Sequence, residues 1–465
     1  MSTKNIKWTI CILIITGNFL GMLDSSSVNL ALYPIASDLN ISLSQVQWVV
    51  ISYMLVLTVF LPFFGKIGDL FPKNKVFSAG FFIFALGAFL NSTASNFYLL
   101  ITYRCIEALG ASIMAANSMA TIATIFKGKE RGQALGLNAC IVAIGGMSGP
   151  AIGGFLINSF SWHTIFLPPV PIALIGGVLA YKLLPSYTPE KKSFKFDYKG
   201  FIYFTIGLFA LLLAISQGHT WGWKSVNILA LGVVTLVFGG LFYLRDRKIN
   251  YPLIDFAMFK IRTFTFGNIA VMMSYMCMFT NAVLLPFFLQ EIIKYNAFIT
   301  GLLILPYSIA SSAVAPFAGS YSGRKGSRTL TIIGPSIYIV ALIIFSTFNT
   351  STPMWEVILA SVVMGIGNGC FQSPSNNAIM TSVNKEELGI ASGILGLARN
   401  LGNILGVAIT ITLFDSFKNN LLADGINYQT AFLKSYHWTM SFGILFGVIC
   451  LTCAAIAYAP QKKIN

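Results

Sequence analysis

Charged residues are scarce in this 465-residue chain: they make up 10% of it, and Asp and Glu number only 15 against 30 Lys and Arg. A soluble protein of this length carries more charge, and it does not need 56% hydrophobic residues or a mean hydropathy of +0.76. The net charge of +15 does not indicate nucleic-acid binding, because the basic residues form short clusters between apolar runs. The composition therefore predicts a polytopic helical membrane protein whose partner is the lipid bilayer and not nucleic acid.

Residues that could carry enzymatic chemistry are also few. The chain has three isolated histidines, no HExxH sequence and no paired Cys and His cluster, which argues against a membrane enzyme. It has no GxxxxGK[ST] phosphate loop, which argues against an ATP-driven pump, and no repeated filter sequence that would indicate a channel. The seven cysteines fall in apolar segments without metal-ligand spacing, so we predict neither a metal site nor a cofactor.

Long apolar runs dominate what is present, and fourteen of them reach the length of about 20 residues that a membrane helix needs. They cover residues 8–33, 46–65, 75–93, 98–122, 133–157, 163–182, 199–217, 225–244, 264–289, 298–319, 329–347, 354–376, 389–413 and 435–458. If the N-terminus lies in the cytoplasm, most Lys and Arg fall in cytoplasmic loops, as the positive-inside rule requires. We therefore predict fourteen transmembrane helices with both termini cytoplasmic.

Glycines repeat between the two ends of the chain at one constant offset. The pairs are Gly132 and Gly389, Gly136 and Gly393, Gly145 and Gly402, and Gly149 and Gly406. The repeat pairs the fifth span with the thirteenth, so two six-helix halves would be separated by two inserted helices. Parallel halves of this kind are typical of transporters that expose a central site alternately to the two sides.

The repeat predicts three domains. Residues 1–184 form an N-terminal six-helix bundle, residues 185–262 a linker with the seventh and eighth helices, and residues 263–465 a C-terminal six-helix bundle. The fold class is all-α, with two pseudo-symmetric halves.

Five sequence motifs resemble those of known membrane transporters. GKIGDLFPKNK (Gly65–Lys75) resembles the loop motif between helices 2 and 3 of the major facilitator superfamily, and GGMSGPAIGG (Gly145–Gly154) resembles its antiporter signature on helix 5. LDSSSVNLALYP (Leu23–Pro34), WHTIFLPPVPIA (Trp162–Ala173) and PLIDFAMFKIRTF (Pro252–Phe264) resemble the fourteen-helix drug:proton antiporter family within it.

The resemblance implies a function. We expect a proton-driven, monomeric, multi-pass antiporter of the bacterial cell membrane that exports amphiphilic, cationic or zwitterionic drugs or toxic compounds, and so confers antibiotic resistance. A carrier of the same fold for an endogenous metabolite or lipid is the alternative.

The resemblance also implies roles for two groups of residues. We expect Gly65, Asp69, Lys73 and Lys75 to form a cytoplasmic gating loop, in which Asp69 either binds a neighbouring helix terminus or is solvated. The antiporter motif of the fifth helix consists of Gly145, Gly149, Pro150, Gly153 and Gly154. We expect this motif to make a tight, bendable contact between the two halves, or alternatively to serve packing alone.

Ionisable residues inside apolar spans indicate a functional site, because charge at bilayer depth is costly. Arg104 and Glu107 share one face of the fourth helix, and Glu107 stands where the family has a glutamine. Counted from the outer helix ends, Asp24, Glu107 and Arg104 lie roughly 13, 14 and 9 Å deep. We predict that they form a proton-coupling site in the substrate cavity together with Asn29 and Arg399. The alternatives are a structural ion pair and, for Arg399, a bond to a carbonyl group.

Overall fold

The computed structural model describes residues 3–41, 43–46, 48–184, 197–249, 252–254, 256–295 and 297–458. Within these ranges the regular structure is entirely helical, and no strand occurs. The long helices are α1 (Thr3–Asp38), α2 (Trp48–Leu70), α3 (Lys73–Asn91), α4 (Phe97–Ile125), α5 (Gly128–Ser159), α6 (Pro169–Leu183), α7 (Tyr198–Trp221), α8 (Val226–Asp246), α9 (Arg262–Phe287), α10 (Ala297–Lys325), α11 (Arg328–Ser346), α12 (Met354–Thr381), α13 (Leu388–Ala423) and α14 (Tyr428–Ala457).

Thirteen helices in the described part of the chain are long and apolar enough to cross a membrane. They account for every predicted span except the fifth, which coincides with α5. That helix is 32 residues long, which is enough to cross a bilayer, but it is not one of the thirteen. The prediction of an all-α polytopic membrane protein is confirmed, and the count of fourteen membrane helices stays a prediction.

Several helices begin at residues that the sequence makes good N-caps. Asn96, Ser225 and Asn427 precede α4, α8 and α14, and each side-chain oxygen accepts a hydrogen bond from the backbone N–H three residues later. These bonds satisfy donors that the first helical turn leaves without an intrahelical partner. The sequence therefore fixes where these three helices begin.

The two halves pack in equivalent ways. In the N-terminal half α1 packs on α5 and α3 on α4, and in the C-terminal half α9 packs on α13 and α11 on α12. The repeated glycines lie at matching contacts: a Cβ placed on Gly145 would lie 3.0 Å from the carbonyl oxygen of Phe19 on α1, and one on Gly402 would lie 2.4 Å from that of Met272 on α9. Both halves thus use small residues for the same close helix approach.

The inserted helices α7 and α8 pack mainly on each other, and α7 also touches α2 and α13. An ion pair of 2.7 Å between Arg245 Nε and Asp197 Oδ1 joins their ends. The predicted linker residues 185–196 lie outside the described ranges, so the predicted domain boundaries stay predictions.

The halves meet where α5 crosses α10 and where α2 crosses α13. A Cβ on Gly132 would lie 1.8 Å from the carbonyl oxygen of Gly319, and one on Gly65 would lie 2.4 Å from that of Gly389. All four glycines lie near the helix ends that border the basic loops at residues 66–75, 127–131, 324–328 and 385, which we call the basic face. The two halves are therefore in backbone contact at the basic face, which the positive-inside rule predicts to be cytoplasmic.

Candidate functional site

A buried cluster of one guanidinium and two carboxyl groups joins α1 and α4. The Arg104 Nη1 atom donates hydrogen bonds to Asp24 Oδ2 at 2.6 Å and to Glu107 Oε2 at 2.7 Å. The three side chains are at most 1% exposed. The sequence predicted that these residues lie in one layer, and the structure brings them into direct contact.

Neighbouring helices α2 and α3 complete the surroundings of the cluster. Asn91 Nδ2 donates to Glu107 Oε2 at 2.7 Å, and Arg104 Nε donates to the carbonyl oxygen of Val49 at 3.3 Å. The guanidinium carbon lies 4.2 Å from the centre of the Tyr53 ring, a cation–π distance. Asn91 was not predicted from the sequence, although an amide near the end of an apolar span is a detectable signal.

Unpaired oxygens remain in this cluster. Asp24 Oδ1 and Glu107 Oε1 are buried and have no hydrogen-bond partner among the described residues, and the same holds for the Tyr53 hydroxyl. A buried polar atom without a partner is costly, and a buried charge is more so. With both carboxyl groups ionised the cluster holds one negative charge more than Arg104 balances. One added proton would therefore remove the excess charge.

The other two predicted cavity residues lie outside this cluster. Asn29 is exposed on α1, five residues beyond Asp24. Arg399 is half-buried on α13 in the other half, and its Nε atom is buried without a hydrogen-bond partner in the ranges that the structure describes. Next to it, Asn400 Nδ2 donates to Thr58 Oγ1 on α2 at 3.0 Å, so this stretch of α13 faces the N-terminal half.

The antiporter motif on α5 packs against α1, which belongs to the same half. A Cβ on Gly149 would lie 1.8 Å from Ser26 Oγ, and one on Gly153 would lie 3.2 Å from Ser27 Cβ. The Ser27 hydroxyl also donates to the carbonyl oxygen of Gly149 at 3.1 Å. A Cβ on Gly154 would lie 3.3 Å from Leu30 Cδ2. The side chain of Pro150 lies outside what the structure describes.

In this conformation the motif therefore contacts α1 of its own half, and its expected contact with the other half stays a prediction. On the same helix, Gly132 and Gly136 contact the other half, at Gly319 and Ala315 of α10. The sequence shows which residues of α5 are small, but it does not show which neighbour each face of the helix meets.

The predicted gating loop contains a contact between the halves. Asp69 Oδ1 accepts a hydrogen bond from the Gly389 N–H at 2.7 Å, and Oδ2 accepts one from the Ile390 N–H at 3.0 Å. These N–H groups belong to the first turn of α13, where a carboxylate is favoured by the helix dipole. Lys73 Nζ lies 3.9 Å from Asp69 Oδ1, whereas Lys75 is exposed. A role of this contact in gating stays a prediction.

A second polar cluster, which was not predicted from the sequence, joins α1, α4 and α5. Asn18 Nδ2 donates to Asn138 Oδ1 at 2.7 Å, and Ser118 Oγ donates to Asn18 Oδ1 at 3.1 Å. Asn138 is buried, so its amide is held by protein and not by solvent.

Comparisons with known proteins agree with this architecture. The family model described as Major Facilitator Superfamily matches residues 14–407 and 267–463. The riboflavin transporter RibZ of Clostridioides difficile (strain 630) is 35% identical over 450 residues, which cover 95% of this chain and 96% of the relative. The multidrug resistance protein Stp of Mycobacterium tuberculosis (strain CDC 1551 / Oshkosh) is 29% identical over 84% of this chain and 73% of the relative, and the multidrug transporter protein MdtP of Bacillus subtilis (strain 168) is 28% identical over 89% and 77%.

Solved structures share the fold at low identity. The proton:xylose symporter XylE superposes with a TM-score of 0.64 at 16% identity and covers 95% of this chain and 95% of that chain. The human organic anion transporter MFSD10 superposes with a TM-score of 0.65 at 11% identity and covers 96% of this chain and 99% of that chain.

Proposed function

Because this chain belongs to the major facilitator superfamily, and is thus a transporter and not an enzyme, we propose that it is a proton-coupled antiporter that exports amphiphilic organic compounds. The observation that carries the proposal is the buried cluster of Asp24, Arg104 and Glu107. We place the protein in the bacterial cell membrane as a monomer, driven by the proton gradient without a cofactor.

The cluster has the properties that a proton-coupling site needs. Asp24 lies on α1 and Glu107 on α4, and both carboxyl groups accept a hydrogen bond from the same Nη1 atom of Arg104. A shift of α1 relative to α4 would lengthen one of these bonds and leave that carboxylate buried without its countercharge, which favours proton uptake. The proton affinities therefore belong to the cluster as a whole and differ between conformations, as coupling requires.

Two substrate classes compete. The relatives named as multidrug proteins support export of amphiphilic drugs, cationic or zwitterionic, because a cation could take the place of the proton near the carboxylates. The relative named as a riboflavin transporter supports a second candidate, a carrier for riboflavin or a similar planar metabolite, because its identity of 35% extends over nearly the whole chain.

The test uses purified protein in proteoliposomes with an imposed pH gradient. Transport of ethidium, of a zwitterionic drug and of riboflavin is followed together with proton flux for the wild type, Asp24→Asn and Glu107→Gln. Asp24→Asn should abolish gradient-driven transport, and Glu107→Gln should retain transport with fewer protons moved or a narrower substrate range. Asp415→Asn is the matched control, since Asp415 pairs with Lys418 and is partly exposed.

The outcomes separate the candidates. Gradient-driven movement of riboflavin alone would favour the metabolite carrier. If the Asp24→Asn, Glu107→Gln double variant couples transport to protons as the wild type does, the coupling site lies elsewhere and the proposal is wrong.

A further inference from the structure

A groove of about 790 Å³ opens on the outer surface of the bundle, beside the crossing of α5 and α10 at the basic face. Its lining is mostly apolar, and a cationic pair, Arg324 and Lys325 at the end of α10, lies at the end of the groove that we call its mouth. The remaining lining residues are Trp8, Gln133, Leu137, Pro316, Phe317, Ser320 and Tyr321. Its volume falls within the range of pockets that hold small organic ligands.

The groove faces lipid and runs along the inner leaflet if the basic face is cytoplasmic. Phe317 is 77% exposed, as expected of a side chain that contacts acyl chains. Pro316 lies nine residues before Lys325 on α10, so the groove extends about 13 Å from the helix end, close to the thickness of one leaflet's hydrocarbon layer. An occupant would therefore have its polar end at the membrane surface and its apolar part beside Phe317.

The charges at the mouth select an anionic polar end. Arg324 and Lys325 are exposed, and neither forms an ion pair with a carboxylate in the described part of the chain. Gln133 and Ser320 add hydrogen-bond donors next to them. Basic pockets between membrane helices on the cytoplasmic side suit phosphate-bearing lipid headgroups. We propose that this groove binds one anionic phospholipid of the inner leaflet, with the headgroup phosphate at Arg324 and Lys325.

The position of the groove gives such a lipid an influence on conformation. One wall comes from α1 and α5 of the N-terminal half, and the other comes from α10 of the C-terminal half. The crossing at which Gly132 and Gly136 contact Gly319 and Ala315 lies beside it, since each of these residues directly adjoins a lining residue in the sequence. A lipid that fills the groove contacts both halves only while they are together at the basic face. Binding therefore stabilises the conformation that is closed at this face.

Binding is measured on the purified full chain by native mass spectrometry. Retention of phosphatidylglycerol and of phosphatidylcholine is compared for the wild type and for the Arg324→Gln, Lys325→Gln double variant. The matched control is Arg328→Gln, an exposed cation in the same basic loop that does not line the groove. The wild type and the control should retain phosphatidylglycerol in preference to phosphatidylcholine. Loss of two cations should weaken this binding about 30-fold, roughly fivefold for each.

The conformational effect is measured separately. Spin labels at Lys127→Cys and Thr329→Cys, both exposed at the basic face, report the separation of the halves in a cysteine-free background. Nanodiscs that contain phosphatidylglycerol should show a larger closed fraction than pure phosphatidylcholine nanodiscs, and the double variant should lose the difference.

Three results would overturn the proposal: equal retention of phosphatidylglycerol by the wild type and the double variant, equal retention of both lipids by the wild type, or displacement of the lipid by soluble glycerol phosphate at matched concentration. The last result would mean that a free phosphate and not a lipid occupies the mouth. None of these readouts depends on proton coupling, so the lipid site and the proposed antiport can fail independently.

Discussion

The contact between Gly132 and Gly319 offers the most direct way to shift the conformational equilibrium. Gly132→Ala adds one methyl group, and its ideal position lies 1.8 Å from the backbone carbonyl oxygen of Gly319, where 3.4 Å is the start of ordinary contact. Since the obstructing atom belongs to the backbone of a helix, no side-chain rotation can relieve the clash. The helices α5 and α10 must move apart.

The cost of this movement falls on one conformation only. Inserting a methyl group into a tightly packed contact typically costs about 1–3 kcal/mol. The penalty applies while the two halves touch at the basic face and disappears when they separate. The equilibrium should therefore shift toward the separated state by roughly 5- to 150-fold.

The assay is the distance distribution between the spin labels at positions 127 and 329. We expect Gly132→Ala to populate longer distances, and Gly232→Ala to leave the distribution unchanged. Gly232 lies in the middle of α8, where an added Cβ meets no atom within 4 Å, so this control carries the same loss of backbone freedom without a clash. A Gly132→Ala protein with the wild-type distribution would show that the close approach of α5 and α10 does not hold the basic face closed.

Two further substitutions test the remaining contacts. Asp69→Asn removes the negative charge of the carboxylate that accepts hydrogen bonds from the Gly389 and Ile390 N–H groups. Hydrogen bonds to a charged group contribute about 1.5–3 kcal/mol, so their loss should also shift the spin-label distances toward separation of the halves. Unchanged distances would refute a role of this contact in closure. Arg104→Ala leaves the two buried carboxyl groups without their countercharge. Thermal unfolding in detergent should therefore show a destabilisation of about 3–5 kcal/mol. Near-wild-type stability would show that the Asp24 and Glu107 carboxyl groups are already protonated.

Much of the fold could be predicted from the sequence because a bilayer imposes few structural choices. Apolar runs of about 20 residues mark the helices, and the placement of Lys and Arg orients them. The residues of the buried cluster could also be predicted, because an ionisable group inside an apolar span needs a partner. Arg104 and Glu107 lie on one helix, so their spacing alone predicts their contact.

The partners from other helices could not be predicted in the same way. Asn91 reaches Glu107 because Gly87 lets the backbone of α3 approach α4: a Cβ on Gly87 would lie 2.4 Å from the Glu107 backbone nitrogen. This contact depends on which faces of two helices meet, and the spacing within either helix does not contain that information. The same is true of the bond from Asn18 to Asn138.

The glycines of α5 show that helical periodicity carries more information than the presence of small residues. Each residue advances a helix by about 100°, so the nine residues from Gly136 to Gly145 turn the helix by two and a half turns. Gly132 and Gly136 therefore lie on the face of α5 opposite to Gly145 and Gly149, which matches their contacts with α10 and with α1. In α13 the equivalent glycines contact α2 and α9 in the same alternation.

This alternation connects the contact between the halves to the charged cluster. One face of α5 meets the other half at the basic face, and the opposite face lies against the carbonyl oxygen of Leu23, the residue before Asp24. Because Gly149 lets α5 lie this close to Leu23 and Ser26 of α1, a displacement of α5 at the basic face would be transmitted to α1. The Asp24 carboxylate would then move relative to Arg104 on α4, and the hydrogen bond that stabilises its charge would change with the conformation at the basic face.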